Sequence, residues 1–270
     1  MKIAYFIKKS GLSADPAIKA FIKDLASGGV TVYDVAAGLQ PDTDMLIAFG
    51  GDGTFLTASG IVCEAGVPIL GINLGRMGFL SDNELGEVLR PLLEHNYTIE
   101  EREMLEVSLE GPGVPKFFPY ALNEVALRRS GAGTLGVDVT VDGSILPTYW
   151  CDGLLVSTST GSTAYSLSVG GPICHPDVGV LIIAPIAPHN LNVRPLIVSR
   201  TAEIEMSARD RKNRSVILSV DHKDYTVPAG TKIEVRCAPF SLRRVTFGKS
   251  SFIDALRTKL FWGEDVRNLR

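Results

Sequence analysis

The sequence has few of the features that are typical of a secreted protein, a protein stabilised by a structural metal ion or a membrane-spanning protein. Its four cysteines are scattered over 270 residues without a CxxC pair, so neither a disulfide framework nor a zinc site is indicated. No apolar run approaches the roughly 20 residues of a membrane span, and the apolar stretch in MKIAYFIKKSG is too short for a signal peptide. We therefore expect a cytoplasmic protein with reduced thiols that does not bind a membrane.

The sequence also lacks an excess of positive charge. Its formal net charge is −3, whereas nucleic acids and anionic membranes are bound by basic surfaces. Nucleic-acid binding is therefore excluded as the main role. The hydrophobic fraction of 45% and the charged fraction of 21% are typical of a soluble globular protein. A chain of this length suits one large domain or two moderate ones.

The first hundred residues alternate between strand and helix patterns. Asp15-Pro16 combines a helix N-cap with a helix-starting proline, and Pro91 lies within a later helical period. Such alternation predicts a parallel sheet with helices on both faces, a Rossmann-like α/β fold. Strands are predicted at 2–7, 30–35, 45–49 and 67–72, and helices from residue 16, over 54–65 and over 85–92.

After about residue 98 the pattern becomes rich in β-strands. Asp142-Gly143 is a hairpin turn signal, and an amphipathic segment at 252–262 is predicted to be a short helix or arm that packs back on the first part. Further strands are predicted at 120–127, 154–157, 180–184, 202–207, 216–220, 232–236 and 244–247. We therefore predict an α/β domain of residues 1–98 with 252–270, and a β-rich domain of residues 99–251.

A glycine-rich stretch follows the predicted strand at 45–49. It reads GGDGT and comprises Gly50, Gly51, Asp52, Gly53 and Thr54. In open α/β sheets ligands bind at the carboxyl ends of strands, and glycines let backbone N–H groups approach a phosphate closely. Asp52 could accept or orient a hydroxyl proton. The alternative is a glycine-rich turn with a capping aspartate.

A second glycine-rich stretch, NLGRMGFL at residues 73–80, follows the next predicted strand. Alone it fits a structural turn equally well. Two such loops at consecutive strand ends would line one crevice.

Polar residues in the β-rich half can likewise be interpreted as ligand-binding or as structural. The run at 157–166 consists almost entirely of hydroxylated or very small residues, which suits hydrogen bonding to a sugar or base but also a packed turn. Asn123-Glu124 and Asp152 adjoin or interrupt apolar strands, and they either face solvent or meet a ligand.

The order of these motifs resembles the NAD kinase family over nearly the whole chain. It runs GGDGT, NLGRMGFL, NE, DGLLVSTSTGSTAYSLSVGGPI, APIAPHNLNVRP. GGDGT alone is shared with lipid kinases and phosphofructokinases, whereas TGSTAYS is much more specific to NAD kinases.

The resemblance implies a Rossmann-like domain followed by a β-rich domain, and phosphoryl transfer from ATP with Mg²⁺ or another divalent cation to the 2′-hydroxyl of the adenosine ribose of NAD. It implies that Asp52 is the catalytic residue, as general base or as aligner of the hydroxyl, and that no side chain is assigned to the metal. Phosphate-binding residues would be Gly50, Gly51, Gly53 and Thr54. NAD-binding residues would be Asp52, Gly53, Asn123, Glu124, Asp152, Thr163, Ala164, Tyr165 and Ser168. The implied assembly is a homodimer or homotetramer through the β-rich domain.

The sequence departs from the family pattern in three places, one of which is Ser159, where proline is more usual. Trp150-Cys151 precedes Asp152 where many members have a basic residue, and His222 follows Asp221 where glycine is more usual. Further candidate site residues are therefore Phe79, Trp150, Asp221 and His222.

The competing functions are a lipid kinase, a non-catalytic NAD sensor and a hydride-transferring dehydrogenase. A lipid kinase would need an apolar or basic membrane-facing surface, a sensor would be expected to lose Asp52, and a dehydrogenase would need an intact G-x-G-x-x-G. The sequence leaves open whether polyphosphate replaces ATP and whether NADH is accepted.

Overall fold

A computed structural model describes residues 1–75, 78–209, 215–248 and 251–263. Contacts within the chain divide it into two compact units. The first unit comprises Met1–Glu101 and the described residues from Leu242 on, and the second comprises Arg102–Ser241. Both boundaries fall inside strands, at 98–110 and 232–246.

The elements up to residue 93 are β1 (Lys2–Ile7), α1 (Pro16–Ser27), β2 (Thr31–Asp34), β3 (Met45–Phe49), α2 (Asp52–Val62), β4 (Ile69–Asn73), β5 (Asn83–Glu84) and α3 (Leu85–Leu93). They are followed by β6 (Thr98–Glu110), β7 (Tyr120–Ala121), β8 (Glu124–Arg129), β9 (Leu135–Val141), β10 (Ser144–Cys151), β11 (Gly153–Thr158) and α4 (Tyr165–Ser168). The remaining elements are β12 (Val180–Ile186), β13 (Leu196–Ser199), β14 (Ile204–Arg209), β15 (Ser215–Val220), β16 (Lys223–Pro228), β17 (Lys232–Thr246) and α5 (Phe252–Leu260).

The first unit contains a parallel sheet in which β2, β1, β3 and β4 are neighbours in that order. β4 also pairs in parallel with β5 and, at Arg244, with the end of β17. Every residue of β3 and β4 is buried, as expected for strands covered on both faces. The sequence prediction of an α/β fold is confirmed here. Pro16 begins α1, and the Asp15 carboxylate accepts the N–H of Ala17 at 2.8 Å.

The second unit is built of antiparallel strands. One sheet has the order β13-β12-β11-β8-β15-β16, and β10, β9, β14 and β17 pair in a second series. Alternate side chains of both series are buried in one apolar cluster, which includes Val137, Leu154 and Ile204. Inward alternation of this kind is typical of packed antiparallel sheets. The predicted β-rich half is therefore confirmed.

Several predicted elements are wrong in detail. The strand predicted at 120–127 is interrupted, because β7 ends at Ala121 and β8 begins at Glu124. The strands predicted at 232–236 and 244–247 form the single strand β17. The helix predicted from residue 54 begins at Asp52, which places Gly53 inside it. The helix predicted over 85–92 contains Pro91 as expected but ends one residue later, at Leu93.

Other predicted details are confirmed. The hairpin turn between β9 and β10 is formed by Asp142 and Gly143, both with positive φ, as the Asp-Gly signal requires. The segment 252–262 contains α5, which has a capping box formed by Ser251 and Asp254. In the described part of the chain, no helix combines the length and the apolar character that crossing a membrane requires.

Candidate functional site

In the first unit, GGDGT forms the tight turn from β3 into α2. Gly50 has φ +148°, and a Cβ atom there would lie 2.3 Å from Thr54 Oγ1, so a larger residue does not fit. The Gly50 N–H donates to Ile72 O on β4 at 2.9 Å. The turn is thus tied to the neighbouring strand, and it presents the N-terminus of α2, whose first N–H groups have no acceptor within the helix.

Gly51 and Gly53 are glycines for a different reason. Within the described chain, no heavy atom other than adjacent backbone lies within 4 Å of a Cβ built at either position. Neither residue has φ in the left-handed region. Packing inside the protein therefore does not require glycine at these two positions, and the open space beside the helix N-terminus suits a ligand that approaches the backbone closely.

The Asp52 carboxylate is fixed by three backbone N–H groups. Its Oδ2 atom accepts from Phe79 N at 2.8 Å, and its Oδ1 atom accepts from Leu80 N at 3.0 Å and Ser81 N at 2.9 Å. A Cβ atom on Gly78 would lie 1.8 Å from Oδ1. Residues 78–81, here called the Phe79 loop, therefore press against the carboxylate and determine its orientation. Arg76 and Met77 of the NLGRMGFL stretch lie outside the described residues.

The Phe79 loop is held in turn by its carbonyl groups. Buried Arg244 donates from Nε to Leu80 O at 3.1 Å, and the same guanidinium pairs with Glu100 at 2.7 Å and with Asp82. Asn73 Nδ2 donates to Ser81 O at 3.1 Å. No sequence motif pointed to Arg244, which lies 164 residues from Leu80.

In the second unit, Asp221 plays a comparable part for residues 122–124, here called the Asn123 loop. Its carboxylate accepts the N–H groups of Leu122 at 2.8 Å, Asn123 at 2.9 Å and Glu124 at 3.2 Å. The Asp221 N–H donates to Glu124 O at 2.9 Å. These bonds occupy the N–H groups that would otherwise join the sheet, which explains the break between β7 and β8. Exposed His222 follows Asp221 in the turn between β15 and β16.

The hydroxyl-rich run holds the other side of the Asn123 loop. Ser157 Oγ donates to Asn123 O at 3.0 Å, and Thr158 Oγ1 donates to Leu122 O at 2.7 Å. A Cβ atom on Gly161 would lie 2.1 Å from Asn123 O. These contacts are those of the packed-turn interpretation, and the hydroxyl-bearing residues of the run that lie buried are Ser157, Thr158, Ser159, Thr160, Ser162 and Ser166.

The predicted NAD-binding residues of this run are more accessible. Thr163, Ala164 and Tyr165 are half-buried, and Ser168 is exposed. They lie in a 3₁₀ turn and in the short helix α4 that follows it. They stay candidates for ligand contact.

Glu124 is a buried acid with unused hydrogen-bonding capacity. Burial, and secondarily the charge of Asp221, raise the pKa of Glu124 to about 8, against the opposing effect of the Tyr165 N–H. Its buried Oε2 atom has no partner in the described chain. At neutral pH the carboxyl group is therefore largely protonated and can donate a hydrogen bond. Burial also raises the pKa of Asp221, although its three backbone donors and Lys223 oppose the rise.

Trp150 lies near the end of β10, and Asp152 directly follows that strand. Arg129 donates from Nε to Asp152 Oδ1 at 2.8 Å and also to Oδ2 at 3.1 Å, and these bonds lower the pKa of Asp152. Asp152 is thus paired with a basic side chain, that of Arg129. Trp150 and His189 are joined by a backbone hydrogen bond of 2.7 Å and line one pocket together with Thr134 and Asn190.

The described residues contain no group of three or more His, Cys, Asp or Glu side chains placed to hold a metal ion. The site residues fall into two sets. In the first unit the structure joins Asp52, the glycine turn and the backbone of Phe79. In the second it joins Glu124, the backbone of Asn123, Asp221 and Tyr165.

Comparison with known proteins gives consistent matches along the chain. Two family models match it: the ATP-NAD kinase N-terminal domain over residues 11–97 and the ATP-NAD kinase C-terminal domain over residues 122–247. A protein named NAD kinase from Bacteroides fragilis is 42% identical over 84% of this chain and 79% of its own length. A protein of the same name from Porphyromonas gingivalis is 37% identical over 98% of this chain and 99% of its own.

Two solved structures are also similar. The structure of yeast NADH kinase complexed with NADH has a TM-score of 0.89 at 26% identity, and the match covers 100% of this chain and 90% of that one. The structure of an NAD kinase from Archaeoglobus fulgidus in complex with ATP has a TM-score of 0.74 at 26% identity, and the match covers 92% and 95% of the two chains.

Proposed function

The chain belongs to the NAD kinase family, and from that premise we propose that it transfers the terminal phosphoryl group of ATP to the 2′-hydroxyl of the adenosine ribose of NAD, which makes NADP. The related solved structures hold NADH in one case and ATP in the other. The observation that carries the proposal most directly is the carboxylate of Asp52, fixed by three N–H groups beside an open helix N-terminus.

The glycine turn would bind phosphate. The N-terminus of α2 carries a positive dipole end and free N–H groups, and the open positions at Gly51 and Gly53 admit phosphate oxygens. Thr54 packs against Gly50 inside the turn, so we assign it to shaping the turn. The ATP would arrive with Mg²⁺ or another divalent cation, whose remaining ligands would be phosphate oxygens and water, as is common for Mg²⁺.

Asp52 would meet the reacting hydroxyl. In the described chain its Oδ2 atom accepts one hydrogen bond where Oδ1 accepts two, so Oδ2 retains capacity for the ribose hydroxyl. Phosphoryl transfer depends mainly on positioning and charge stabilisation. We infer that Asp52 aims the hydroxyl oxygen and takes its proton as the bond to phosphorus forms.

The second unit would supply the binding surface for NAD. Protonated Glu124 can donate a hydrogen bond to a ribose oxygen, and Asn123 shares its rigid loop. Half-exposed Tyr165 offers an aromatic face for the adenine, next to Thr163, Ala164 and Ser168. Asp152 would contact the nicotinamide end, with Arg129 fixing its orientation.

We assign catalysis to the predicted domain of residues 1–98 with 252–270, and NAD binding to the predicted domain of residues 99–251.

We also propose a homodimer or homotetramer through the β-rich domain. In support, the sheet of the second unit ends at β13, whose Leu196 and Ile197 are 38% and 48% exposed. A cytoplasmic location accords with the four cysteines, none of which forms a disulfide in the described chain.

The test is direct. The purified chain is incubated with NAD, ATP and MgCl₂, and NADP is measured with an NADP-specific dehydrogenase. We expect NADP to form at a rate proportional to enzyme concentration. Phosphorylation of a lipid without any NADP would overturn the proposal.

Asp52→Asn tests the role of the carboxylate. An amide keeps the shape but cannot take the proton, and it turns one oxygen acceptor into an NH₂ donor that faces the donors of the Phe79 loop. We expect kcat to fall on the order of 10²–10⁴-fold with KM for NAD changed less than about threefold. Asp34→Asn is the control, because Asp34 also accepts a backbone N–H near a helical turn, from Ala36 at 2.8 Å. Near-normal turnover of Asp52→Asn would contradict the assignment.

A further inference from the structure

Helix α5 contacts the Phe79 loop at two points. The Lys259 ammonium group donates a hydrogen bond to Gly78 O and lies 4.9 Å from the centre of the Phe79 ring. Near the other end of the helix, the ring of Phe252 lies 6.2 Å from that of Phe79. The helix therefore holds both the backbone and the side chain of the loop that orients Asp52.

The position of this loop matters because Asp52 has little freedom against it. Gly78 is so close that a Cβ atom would overlap the carboxylate, and the next three N–H groups donate to it. Arg244 holds the loop at Leu80 O, and Asn73 holds it at Ser81 O. Lys259 supplies the contact at the remaining end, on the carbonyl of Gly78.

We propose that Lys259 is a positioning residue for Asp52, which acts by holding the Gly78 carbonyl so that the Phe79 loop keeps its three N–H groups aimed at the carboxylate. The expected effect of Lys259 on turnover rests on the proposed function. The expected effect of Lys259 on the rigidity of the Phe79 loop rests on the contacts alone.

The electrostatic surroundings make the contact dependent on pH. Burial lowers the pKa of Lys259, the carboxylates of Asp82 and Asp52 oppose that shift, and the Arg244 guanidinium adds to it. A lysine is a charged donor only below its pKa. Because the pKa of Lys259 is lower than that of an ordinary lysine, the contact weakens at a lower pH than it otherwise would. Turnover of the native chain should therefore decline at alkaline pH.

Lys259→Met tests the proposal, because methionine keeps much of the length and apolar stem but lacks the charge and the donor. We expect kcat to fall about 10–100-fold while KM for NAD stays within about twofold, as expected when orientation rather than substrate binding is lost. Amide hydrogen exchange at Phe79, Leu80 and Ser81 should become faster. Lys259→Arg should restore most of kcat and move the alkaline decline to higher pH.

Arg257→Met is the matched control, since Arg257 lies on the same helix with its side chain 70% exposed and 3.8 Å from Asp254. It should leave kcat and exchange unchanged. Unchanged kcat and exchange in folded Lys259→Met would overturn the proposal. A fall in kcat with unchanged exchange would do so too, because Lys259 would then act on substrate and not on the loop.

The exchange measurement needs no catalysis, so the positioning proposal can be judged even if the native chain makes no NADP. Should Lys259→Met fail to fold, Phe252→Leu removes the other contact of α5 with the Phe79 loop. We expect the same changes from it at smaller size, and normal kcat with normal exchange in that variant would count against the proposal.

Discussion

At the scale of single residues, the molecule uses the same arrangement twice. Asp52 and Asp221 each accept the N–H groups of three consecutive residues. Hydrogen bonds to a charged acceptor are stronger and shorter than those between neutral groups, so each carboxylate fixes a short loop that carries candidate site residues. GGDGT marks Asp52 in the sequence, whereas Asp221 is marked only by the unusual residue that follows it.

Gly53→Ala separates a role in ligand binding from a role in folding. The added methyl group meets no described atom inside the protein, and alanine favours a helix over glycine by roughly 0.5–1 kcal/mol. We expect the thermal midpoint to stay equal or rise slightly, while kcat/KM for ATP falls at least about 10-fold because the methyl group enters the phosphate space.

Gly86→Ala is the matched control. Gly86 is likewise the second residue of its helix, α3, and it too faces open space in the described chain. Its substitution should leave both stability and kcat/KM unimpaired. Full activity of Gly53→Ala, measured by initial rates at varied ATP, would argue against the phosphate cradle.

At the scale of elements, the Asn123 loop shows why a strand predicted from periodicity fails. Residues 120–127 have the apolar pattern of a strand, but Asp221 takes the N–H groups and Ser157 and Thr158 hold the carbonyl groups at the point where the ladder would continue. These partners lie 34 to 99 residues away. No local sequence pattern could predict these partners.

Thr158→Val tests that arrangement, because valine has the same shape without the hydroxyl. The substitution leaves the buried Leu122 carbonyl and the Gly161 N–H without their bonds to Oγ1, of 2.7 and 3.0 Å. Urea unfolding should show a loss of about 1–3 kcal/mol. Thr226→Val, at an exposed position of the edge strand β16, is the control and should be nearly neutral. An equal effect at both positions would mean that the buried bonds do not stabilise the loop.

At the scale of the whole molecule, composition and alternation were sufficient for the architecture. The run of strand and helix signals predicted the parallel sheet, and its loss after residue 98 predicted the β-rich half. The motifs predicted which positions carry the site, but not how they are held. Arg244, Lys259 and Asp221 act through contacts with residues far along the chain, and such contacts follow from the fold and not from any local spacing.

The proposed assembly gives a prediction at the same scale. An exposed apolar edge strand is a ready pairing site, so Ile197→Lys on β13 should shift the particle mass, measured by light scattering, toward a smaller species. Ile253→Lys is the control, since Ile253 is 59% exposed but belongs to the first unit. A native chain that is monomeric, or an assembly unaffected by Ile197→Lys, would contradict an interface at β13.

The first unit is formed by two separate segments of the chain, and this affects the order in which its contacts can form during synthesis. Arg244 pairs with β4 of its sheet and donates a hydrogen bond to its Phe79 loop, and this residue follows the whole of the second unit in the chain. A ribosome therefore completes residues 102–241 before it adds the segment that finishes the unit begun first. The Phe79 loop can therefore gain its hydrogen bonds from Arg244 and Lys259 only after the whole β-rich part has been synthesised.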